Sequence, residues 1–518
     1  MMLNDTTSLS QIETQAWVKT AALSLLVLLV LRVASLFIGD SSLYADETQY
    51  WIWSQTLDWG YYSKPPMIAW VIAFTTGIFG DSDWAARLSS PFLHTFTAAF
   101  LGLSAAKLYD NRTGALVALI WALMPAVWFS ANLISTDTVL MAGWSAGLYA
   151  YVRLRDGANW PFAIMLGTAL GWAFLSKYAA IYFALGLAIA LLIDRPSRKA
   201  LLGWNGVIAL GVLGALIAPN VIWNAQHDFA TLSHTAANAN WGGTLFQPGE
   251  ALQFVIDQLG VFGPLFFPLL ILAAFKAIKS FRFSDEAASP ALLLAGFVVP
   301  ALIVVAGQAF ISRAHANWAV SAYGAGTILL AGYLLAGPAW RRVVLWTGLG
   351  LHTIAGLAML TLSASAPLSE SVGLANAFKR VREWPETMIA LQSEVERSGL
   401  DIVVFDNRND FHQFQRYGTA IDATPYMWLR HAGPLNFAET EWPLPSEFDE
   451  PVLIVSERPR EVPLMQRDFA RFDAFGDVRI ELGGGRERHY QLFIAQGHNR
   501  LDRDRDYEAW VRQIRSGN

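Results

Sequence analysis

The sequence predicts a polytopic α-helical membrane protein with about eleven transmembrane helices, followed by a C-terminal mixed α/β domain. The mean hydropathy is +0.34 and 54% of the residues are hydrophobic, which is too apolar for a soluble protein. Charged residues make up 15% of the chain, which is too many for a protein made only of membrane spans. The apolar stretches end near residue 364, and charges become frequent after that point.

Eleven apolar stretches have roughly the length of a membrane-spanning helix, about 20 residues. They lie at 17–38, 87–109, 113–131, 138–154, 160–176, 178–193, 200–222, 255–277, 289–311, 317–336 and 343–363. The first stretch is too long for the apolar core of a signal peptide, so we expect it to be retained as a helix. Met67–Phe79 is also apolar, but its length of about 13 residues favours an interfacial or re-entrant helix over a crossing.

The cations between the stretches support this assignment. If Met67–Phe79 does not cross, every second connection carries grouped cations, and the positive-inside rule makes that set cytoplasmic. The grouped cations are Lys107 and Arg112; Arg153 and Arg155; Arg195, Arg198 and Lys199; Lys276, Lys279 and Arg282; Arg341 and Arg342. The opposite connections carry single cations, which are Lys64, Arg87, Lys177 and Arg313. We expect these, with Asp46, Asp137 and the C-terminal tail, to lie on the outer side.

The chain is expected to divide into a membrane domain, residues 1–364, and an α/β domain outside the membrane, residues 365–518. Strand-like runs lie at 402–405, 452–455 and 489–494, and helical patterns lie at 375–397, 463–472 and 507–515. Gly483-Gly484-Gly485 predicts a hairpin tip, because a phosphate-binding loop needs a following helix and the sequence here predicts a strand.

Composition excludes several kinds of site. The chain has no cysteine, so disulfides, thiolate metal sites and cysteine nucleophiles are excluded. A net charge of -5 without any basic run argues against binding to nucleic acid. His227 and His234 share an outer loop, but two histidines do not define a metal site when no third ligand can be named. We therefore assign no cofactor and no metal ligand, and a divalent metal stays open as an alternative.

An acidic pair lies among many aromatic residues in the stretch Tyr44 to Pro66, directly after the first apolar segment. Such aromatics are typical of a membrane–water boundary. Keeping a carboxylate at that depth costs free energy, so a carboxylate found there usually has a function. We predict that Asp46 and Glu47 are catalytic, together with Asp137. The eleven-span topology places Asp137 on the same outer side of the membrane as Asp46. The alternative is that these acids only cap the helices that follow them.

Single cations on this face predict binding of a lipid phosphate. Lys64 precedes two prolines that fix an extended backbone. The further candidate contacts are Tyr62, Arg87, Lys177, Arg313 and His315. A carboxylate would act as general base on an acceptor hydroxyl, and the cations would neutralise a phosphate leaving group. The alternative is that the cations at span ends only reach towards the lipid headgroups.

Short motifs in a fixed order resemble the bacterial branch of glycosyltransferase family 39. They are Asp46-Glu47, Lys64-Pro65-Pro66, Arg87-Leu88, Thr136-Asp137, Ser176-Lys177-Tyr178 and Asn317-Trp318. Its relatives include protein O-mannosyltransferases and the lipid A aminoarabinose transferase, which are integral-membrane glycosyltransferases of the C fold. The segments YYSKPPMIAW and PNVIWNAQHDF are most similar to alphaproteobacterial galacturonosyltransferases that act on lipid A and the lipopolysaccharide core. The resemblance covers most of residues 20–320.

The resemblance implies a polyprenyl-phosphate-linked sugar as donor, inversion at the anomeric carbon and a lipid or glycolipid acceptor, with lipid A or the lipopolysaccharide core favoured. It implies that Asp46 is catalytic, that Lys64 contacts the donor phosphate and that Asp137 supports the acceptor or the catalytic loop. It also implies the bacterial inner membrane, with the active site and the C-terminal domain in the periplasm.

Two positions depart from the aminoarabinose transferases, which often carry an acidic residue before Lys-Pro-Pro and an arginine three residues after the aspartate. Ser63 and Gln49 occupy those positions here. The metal and arginine–phosphate contacts proposed for those enzymes therefore do not transfer, and Arg313, Lys177 or Arg87 must supply any second cation.

Other functions remain open at this point. One alternative is an enzyme that resembles the protein O-mannosyltransferases. Another is a lipid flippase or transporter, which predicts broken helices with ionisable residues near mid-span at matching points of two halves. The candidate charges instead crowd at one face, and only Arg32, inside the first span, is left unplaced. A third alternative is a sensor or scaffold whose tail carries the function.

Overall fold

The computed structural model describes residues 2–39, 41–239, 245–282 and 286–515, which form two compact units. The first unit comprises residues 1–38 and 57–361, and the second comprises residues 39–56 and 362–518. Residues 39–56 follow the first long helix in sequence, yet they belong to the second unit. The segment that carries Asp46 is therefore folded together with the C-terminal part of the chain.

The regular secondary structure described in the first unit is helical, and most of its longer helices overlap the predicted apolar stretches. The α-helices are Met2–Ile38, Met67–Phe79, Asp83–Arg87, Ser89–Leu108, Asn111–Ala122, Pro125–Ser130, Thr136–Arg155, Trp160–Ser176, Ile181–Ile193, Arg195–Leu201, Trp204–Gln226, Ala230–Ala237, Pro248–Val261, Phe266–Lys279, Pro290–Ile311, Val320–Leu335 and Ala339–Ala364. Short 3₁₀ turns lie at Tyr178–Ala180 and Ala316–Ala319.

Five described helices are long and apolar enough to cross a membrane, or up to seven if each of two sharply bent pairs is one span. The five are Gln15–Ile38, Trp204–Gln226, Pro290–Ile311, Ala316–Leu335 and Ala339–Ala364. Other predicted spans are helical but shorter or less apolar. Thr136–Arg155, for example, buries most of its residues among other helices, including Ser145 and Tyr151. A helix enclosed by protein tolerates more polar residues than one that faces lipid, and the count of eleven stays a prediction.

The prediction of one continuous span over 255–277 is wrong. This stretch is divided between Pro248–Val261 and Phe266–Lys279, which are bent by 108° relative to each other. Gly263 has a φ of +107° and precedes Pro264, so the local sequence cannot continue the helix. The stretch 113–131 is also divided, just before Pro125.

Arg32 has a structural role at the break before Pro125. Its buried guanidinium donates to the carbonyl of Ala122, the last residue of its helix, and lies 5.0 Å from the Trp128 ring centroid. Carbonyls in the last turn of a helix lack an intrahelical donor. The cation that the sequence left unplaced therefore satisfies a broken helix end inside the bundle.

The second unit is built on a six-stranded mixed sheet. The strands are β1 (Ile402–Phe405), β2 (Thr424–Met427), β3 (Glu447–Phe448), β4 (Val452–Ser456), β5 (Phe469–Gly483) and β6 (Arg486–Asn499). Their order is β2-β1-β4-β6-β3, with β5 also paired to β6. β1 is parallel to β2 and β4, and β6 is antiparallel to its three neighbours.

Helices cover both faces of this sheet. They are Ala45–Gln55, Ala366–Ser371, Ala375–Phe378, Trp384–Ser398, Arg408–Tyr417, Phe437–Glu441, Val462–Gln466 and Arg505–Arg515, with a 3₁₀ turn at Lys379–Val381. Val403 packs in one apolar cluster with Trp384, whereas its neighbour Val404 packs in another with Tyr507. Strands buried on both faces have continuous apolar sequences, which is why the strands at 402–405 and 452–455 were predicted correctly.

The hairpin tip is confirmed, because the three glycines have φ of +83°, +61° and +71° between β5 and β6. The helix at 507–515 is confirmed as Arg505–Arg515. The helix predicted at 463–472 is wrong beyond Gln466, because the chain from Phe469 onward pairs with β6. Pairing with a distant strand overrides a local helical pattern.

The helix predicted at 375–397 is interrupted between Phe378 and Trp384. Glu383 has a φ of +57° and stands two residues before Pro385. Arg488 stabilises the chain at this interruption. Its buried guanidinium lies 3.5 Å from the Trp384 ring centroid and donates to the Arg382 carbonyl at 3.2 Å. The side chains of residues 379 and 380 therefore stand on a fixed turn.

One buried ion pair joins the start of β5 to the segment before the last helix. Arg503 Nη1 lies 2.9 Å from Asp468 Oδ1, and the two side chains are 1% and 0% exposed. The Asp468 carboxylate also accepts from the Trp428 indole at 2.7 Å and from the Leu501 N–H at 3.0 Å.

Arg503→Met is expected to destabilise the second unit by about 3–5 kcal/mol, because it leaves a buried carboxylate without its cation. Hydrogen exchange of the β1 and β4 amides in the full-length protein measures this loss. Arg471→Met is the control, since its ion pair with Asp473 is exposed and contributes at most about 1 kcal/mol. Equal amide protection in the two variants would contradict the assignment.

Candidate functional site

The predicted site residues divide between the two units, and the acidic pair lies in the second. Asp46 and Glu47 occupy the first turn of helix Ala45–Gln55. Glu47 is 2% exposed, and its Oε2 accepts the N–H of Tyr44 at 2.9 Å. This is the side-chain cap of a helix start, so the structure gives Glu47 the capping contact that was the alternative to catalysis.

Asp46 differs from its neighbour because its carboxylate faces outward. The side chain is 53% exposed, and Arg408 Nη2 lies 3.8 Å from its Oδ1. Arg408 is the first residue of helix Arg408–Tyr417, directly after β1 and its loop. The Asp46 carboxylate therefore lies at the positive end of a helix dipole, beside a guanidinium, and is accessible from solvent.

The backbone just before Asp46 is held by hydrogen bonds to other segments of the second unit. The Leu43 N–H donates to the Tyr417 hydroxyl at 2.7 Å, and the Leu43 carbonyl accepts from Gln413 Nε2 at 2.9 Å. The Ser42 N–H donates to the Val381 carbonyl at 2.8 Å. The start of helix Ala45–Gln55 therefore has a fixed position in this unit.

A cavity of about 640 Å³ opens beside this helix start, and Tyr44 and Ala45 are among its lining residues. Asp406 lines it as well, and burial raises the pKa of this carboxyl to about 7. The Ser456 hydroxyl donates to Asp406 at 2.7 Å. Burial, with repulsion from Glu457 and Asp406, raises the pKa of Asp410 well above its usual range. Asp406 is therefore partly protonated near neutral pH.

In the first unit, Asp137 joins three segments. Its Oδ1 lies 2.6 Å from Lys177 Nζ, and its Oδ2 accepts from Asn317 Nδ2 at 2.6 Å. The Asp137 and Lys177 side chains are 14% and 20% exposed. The structure thus brings together Asp137, Lys177 and Asn317 from three of the quoted motifs, and it ties the start of helix Thr136–Arg155 to the segments that carry Lys177 and Asn317.

Lys64 and Tyr62 lie on a loop that is fixed to helix Trp204–Gln226. Asp58 Oδ2 accepts from the Trp223 indole at 2.7 Å, and the Trp59 carbonyl accepts from Asn220 Nδ2 at 2.6 Å. A Cβ at Gly60 would overlap the Trp223 ring, so only glycine permits this close approach.

The remaining candidates have different surroundings. The Tyr62 ring lies edge-on to His234 at 5.3 Å, and His227 stacks on Trp223 at 4.0 Å. Arg87 is buried at the end of helix Asp83–Arg87. Arg313 and His315 are exposed, with the His315 ring edge-on to Trp318 at 5.4 Å. Among the described residues, no group of three His, Asp or Glu side chains could hold a metal ion.

Sequence reasoning missed Arg408, Gln413 and Tyr417, which surround the Asp46 segment, and Asp58, which fixes the Lys64 loop. A signal existed for the first: Arg408 closely follows the carboxyl end of a buried strand, where open α/β sheets place functional side chains. Asp58 precedes Trp59-Gly60, but nothing in the sequence indicates its partner, which lies 165 residues away.

Three comparisons relate this architecture to known proteins. Residues 63–223 match the family described as dolichyl-phosphate-mannose-protein mannosyltransferase. The chain is 33% identical over 434 residues to the lipid A galacturonosyltransferase RgtD of Rhizobium johnstonii, covering 82% of this chain and 88% of that protein. It is 25% identical over 229 residues to the undecaprenyl phosphate-α-4-amino-4-deoxy-L-arabinose arabinosyl transferase of Yersinia pestis, covering 40% of this chain and 41% of that protein.

The fold is also similar to a solved structure. ArnT from Cupriavidus metallidurans bound to undecaprenyl phosphate superposes with a TM-score of 0.64 at 16% identity, covering 92% of this chain and 98% of ArnT. The resemblance inferred from the ordered motifs is thus confirmed by sequence and by fold. The chain belongs to the family of glycosyltransferases, related to glycosyltransferase family 39, that includes the lipid A galacturonosyltransferase of Rhizobium johnstonii.

Proposed function

We propose that this protein transfers a sugar from a polyprenyl phosphate to a lipid A-type glycolipid on the periplasmic side of the bacterial inner membrane. The observation that carries the proposal is the similarity to a lipid A galacturonosyltransferase along 82% of the chain. A polyprenyl-phosphate donor is supported by the arabinosyl transferase relative, which is named for an undecaprenyl phosphate-linked sugar. It is also supported by the structure of ArnT bound to undecaprenyl phosphate.

The proposed reaction is a displacement at the anomeric carbon. The acceptor hydroxyl oxygen forms the new bond to this carbon while the bond to the phosphate oxygen breaks. The electron pair leaves with the polyprenyl phosphate, and the hydroxyl proton moves to a carboxylate of the enzyme. Attack from the face opposite the leaving phosphate inverts the anomeric configuration.

Asp46 is the carboxylate best suited to take the proton. Its carboxylate is 53% exposed, whereas the Glu47 carboxylate is buried against the backbone that it caps. Arg408 lies 3.8 Å from this carboxylate, which stays about half exposed.

Asp137 fits a positioning role better than a proton-accepting one. Both of its oxygens are engaged, one by Lys177 and one by Asn317. The Asp137 carboxylate therefore fixes the segments that meet there. Lys177 is paired with Asp137, and Lys64, Arg87 and Arg313 are the cations proposed to contact the donor phosphate.

The orientation follows from the grouped cations, which the positive-inside rule places in the cytoplasm. The loops with single cations and the second unit are then periplasmic. Nucleotide sugars are absent from that compartment, which is consistent with a lipid-linked donor.

Asp46→Asn is expected to lower the rate of sugar transfer by about 10²–10⁴-fold, because the amide cannot take the acceptor proton. The assay incubates purified protein with a panel of radiolabelled undecaprenyl phosphate sugars and lipid A, and separates the lipid products. Asp449→Asn, an exposed aspartate of the same unit, is the matched control. Transfer at the wild-type rate by Asp46→Asn would remove Asp46 from the reaction.

A double-mutant cycle of Asp137→Asn and Lys177→Met is expected to give a coupling energy of about 1–3 kcal/mol in kcat/KM, because each residue acts through the other. The control cycle uses Lys107→Met and Asp156→Asn, a pair 3.2 Å apart whose side chains are 44% and 63% exposed. That pair is expected to couple by less than about 1 kcal/mol. Additive effects at Asp137 and Lys177 would contradict the positioning role.

A further inference from the structure

The cavity beside Asp46 is lined by an unusual number of cations. Its volume of about 640 Å³ lies within the range of ligand sites and suits a small saccharide. All of its lining residues belong to the second unit. The cationic lining residues are Lys379, Arg380, Arg408, Arg430, Arg458 and Arg488.

Three of these cations have structural partners. Arg488 is buried on Trp384, and Arg458 donates to the Asp406 carbonyl at 3.0 Å. Arg430 lies 3.3 Å from the Glu461 carboxylate. These three side chains stabilise the segments that line the cavity. The other three lining cations are Lys379, Arg380 and Arg408.

Lys379, Arg380 and Arg408 surround the start of helix Ala45–Gln55. Arg380 Nη1 donates to the Tyr44 hydroxyl at 3.1 Å, and Arg408 lies near Asp46. Within the described part of the chain, the Lys379 ammonium has no hydrogen bond or ion pair. Arg380 and Arg408 are exposed and Lys379 is half-buried, so all three reach solvent at the cavity.

The acidic lining residues do not cancel this cluster. Glu461 is paired with Arg430, and Glu487 is paired with Arg479, at 2.5 Å. The buried Asp406 is partly protonated near neutral pH. Glu439, which accepts the Leu435 N–H at 2.7 Å, and the exposed Glu457 complete the acidic lining. The cavity is thus lined by six Lys and Arg side chains and by five acidic ones, of which Asp406 is partly protonated, so cations are in excess.

We propose that Lys379, Arg380 and Arg408 bind an anionic substituent, a phosphate or carboxylate, on the sugar headgroup of the acceptor glycolipid. This inference rests on the proposed function, because it names how that acceptor is recognised. Guanidinium and ammonium groups are the usual partners of sugar phosphates and carboxylates. The polar lining suits a saccharide and offers no apolar groove for an isoprenoid chain, so the acceptor is favoured over the donor as the source of the anion.

The test measures binding rather than transfer, so its failure is distinguishable from failure of the proposed reaction. Full-length protein in nanodiscs is titrated with bisphosphorylated lipid A, with the same lipid A after removal of both phosphates, and with undecaprenyl phosphate. The variants are Lys379→Gln/Arg380→Gln and Arg408→Gln. Arg471→Gln removes an exposed cation of the same unit and serves as the control. Amide protection of β1 verifies that each variant is folded.

Wild-type protein is expected to bind the bisphosphorylated lipid about tenfold more tightly than the dephosphorylated one, and the cavity variants are expected to lose this difference. Arg471→Gln retains the difference, higher salt weakens it, and undecaprenyl phosphate binds all variants equally. An unchanged difference in the folded cavity variants would overturn the proposal. Selective loss of undecaprenyl phosphate binding would overturn it too, because the cavity would then serve the donor.

Discussion

The backbone of Leu43 is bonded on both sides by one helix of the C-terminal unit, and the geometry around Asp46 depends on this contact. Its N–H donates to Tyr417 and its carbonyl accepts from Gln413, both on helix Arg408–Tyr417. The same helix begins with Arg408, which approaches the Asp46 carboxylate. One helix therefore sets both the position and the electrostatic surroundings of the proposed base.

This arrangement gives the C-terminal unit a structural role, because it fixes the segment that carries Asp46. A short segment between two long apolar stretches has few partners of its own, and a loop without them would sample many conformations. Folding residues 39–56 into the second unit fixes them at the cost of ordering about 150 further residues. The same unit supplies the cavity and cations that we assign to the acceptor.

The first unit uses a different device, in which polar groups are satisfied in pairs and held on loops. Asp137 is neutralised by Lys177 and oriented by Asn317, and Asp58 is anchored to the Trp223 indole. Arg32 satisfies a carbonyl at a helix break. Each of these three charged side chains has a defined partner, and for the buried Arg32 an unpaired charge would be costly.

Much of this could be predicted from the sequence, because apolar length and strand burial leave direct patterns. Most long helices of the first unit and the strands β1 and β4 were predicted for that reason, and the ordered motifs identified the family. Breaks at Gly263-Pro264 and before Pro125 were missed, because the apolar stretches continue across them. The strand β5 and the Leu43 contacts were missed because they depend on partners far along the chain, which no local pattern encodes.

The most direct test of this account is the single-turnover rate of sugar transfer by a Gln413→Leu/Tyr417→Phe variant of the full-length protein. The account predicts that transfer slows by about ten- to a hundredfold while binding of undecaprenyl phosphate is unchanged, because Asp46 is no longer held in place. Gln392→Leu/Tyr426→Phe, with the same substitutions elsewhere in this unit, should react at the wild-type rate. Wild-type transfer by a folded Gln413→Leu/Tyr417→Phe variant would show that this helix does not position the catalytic carboxylate.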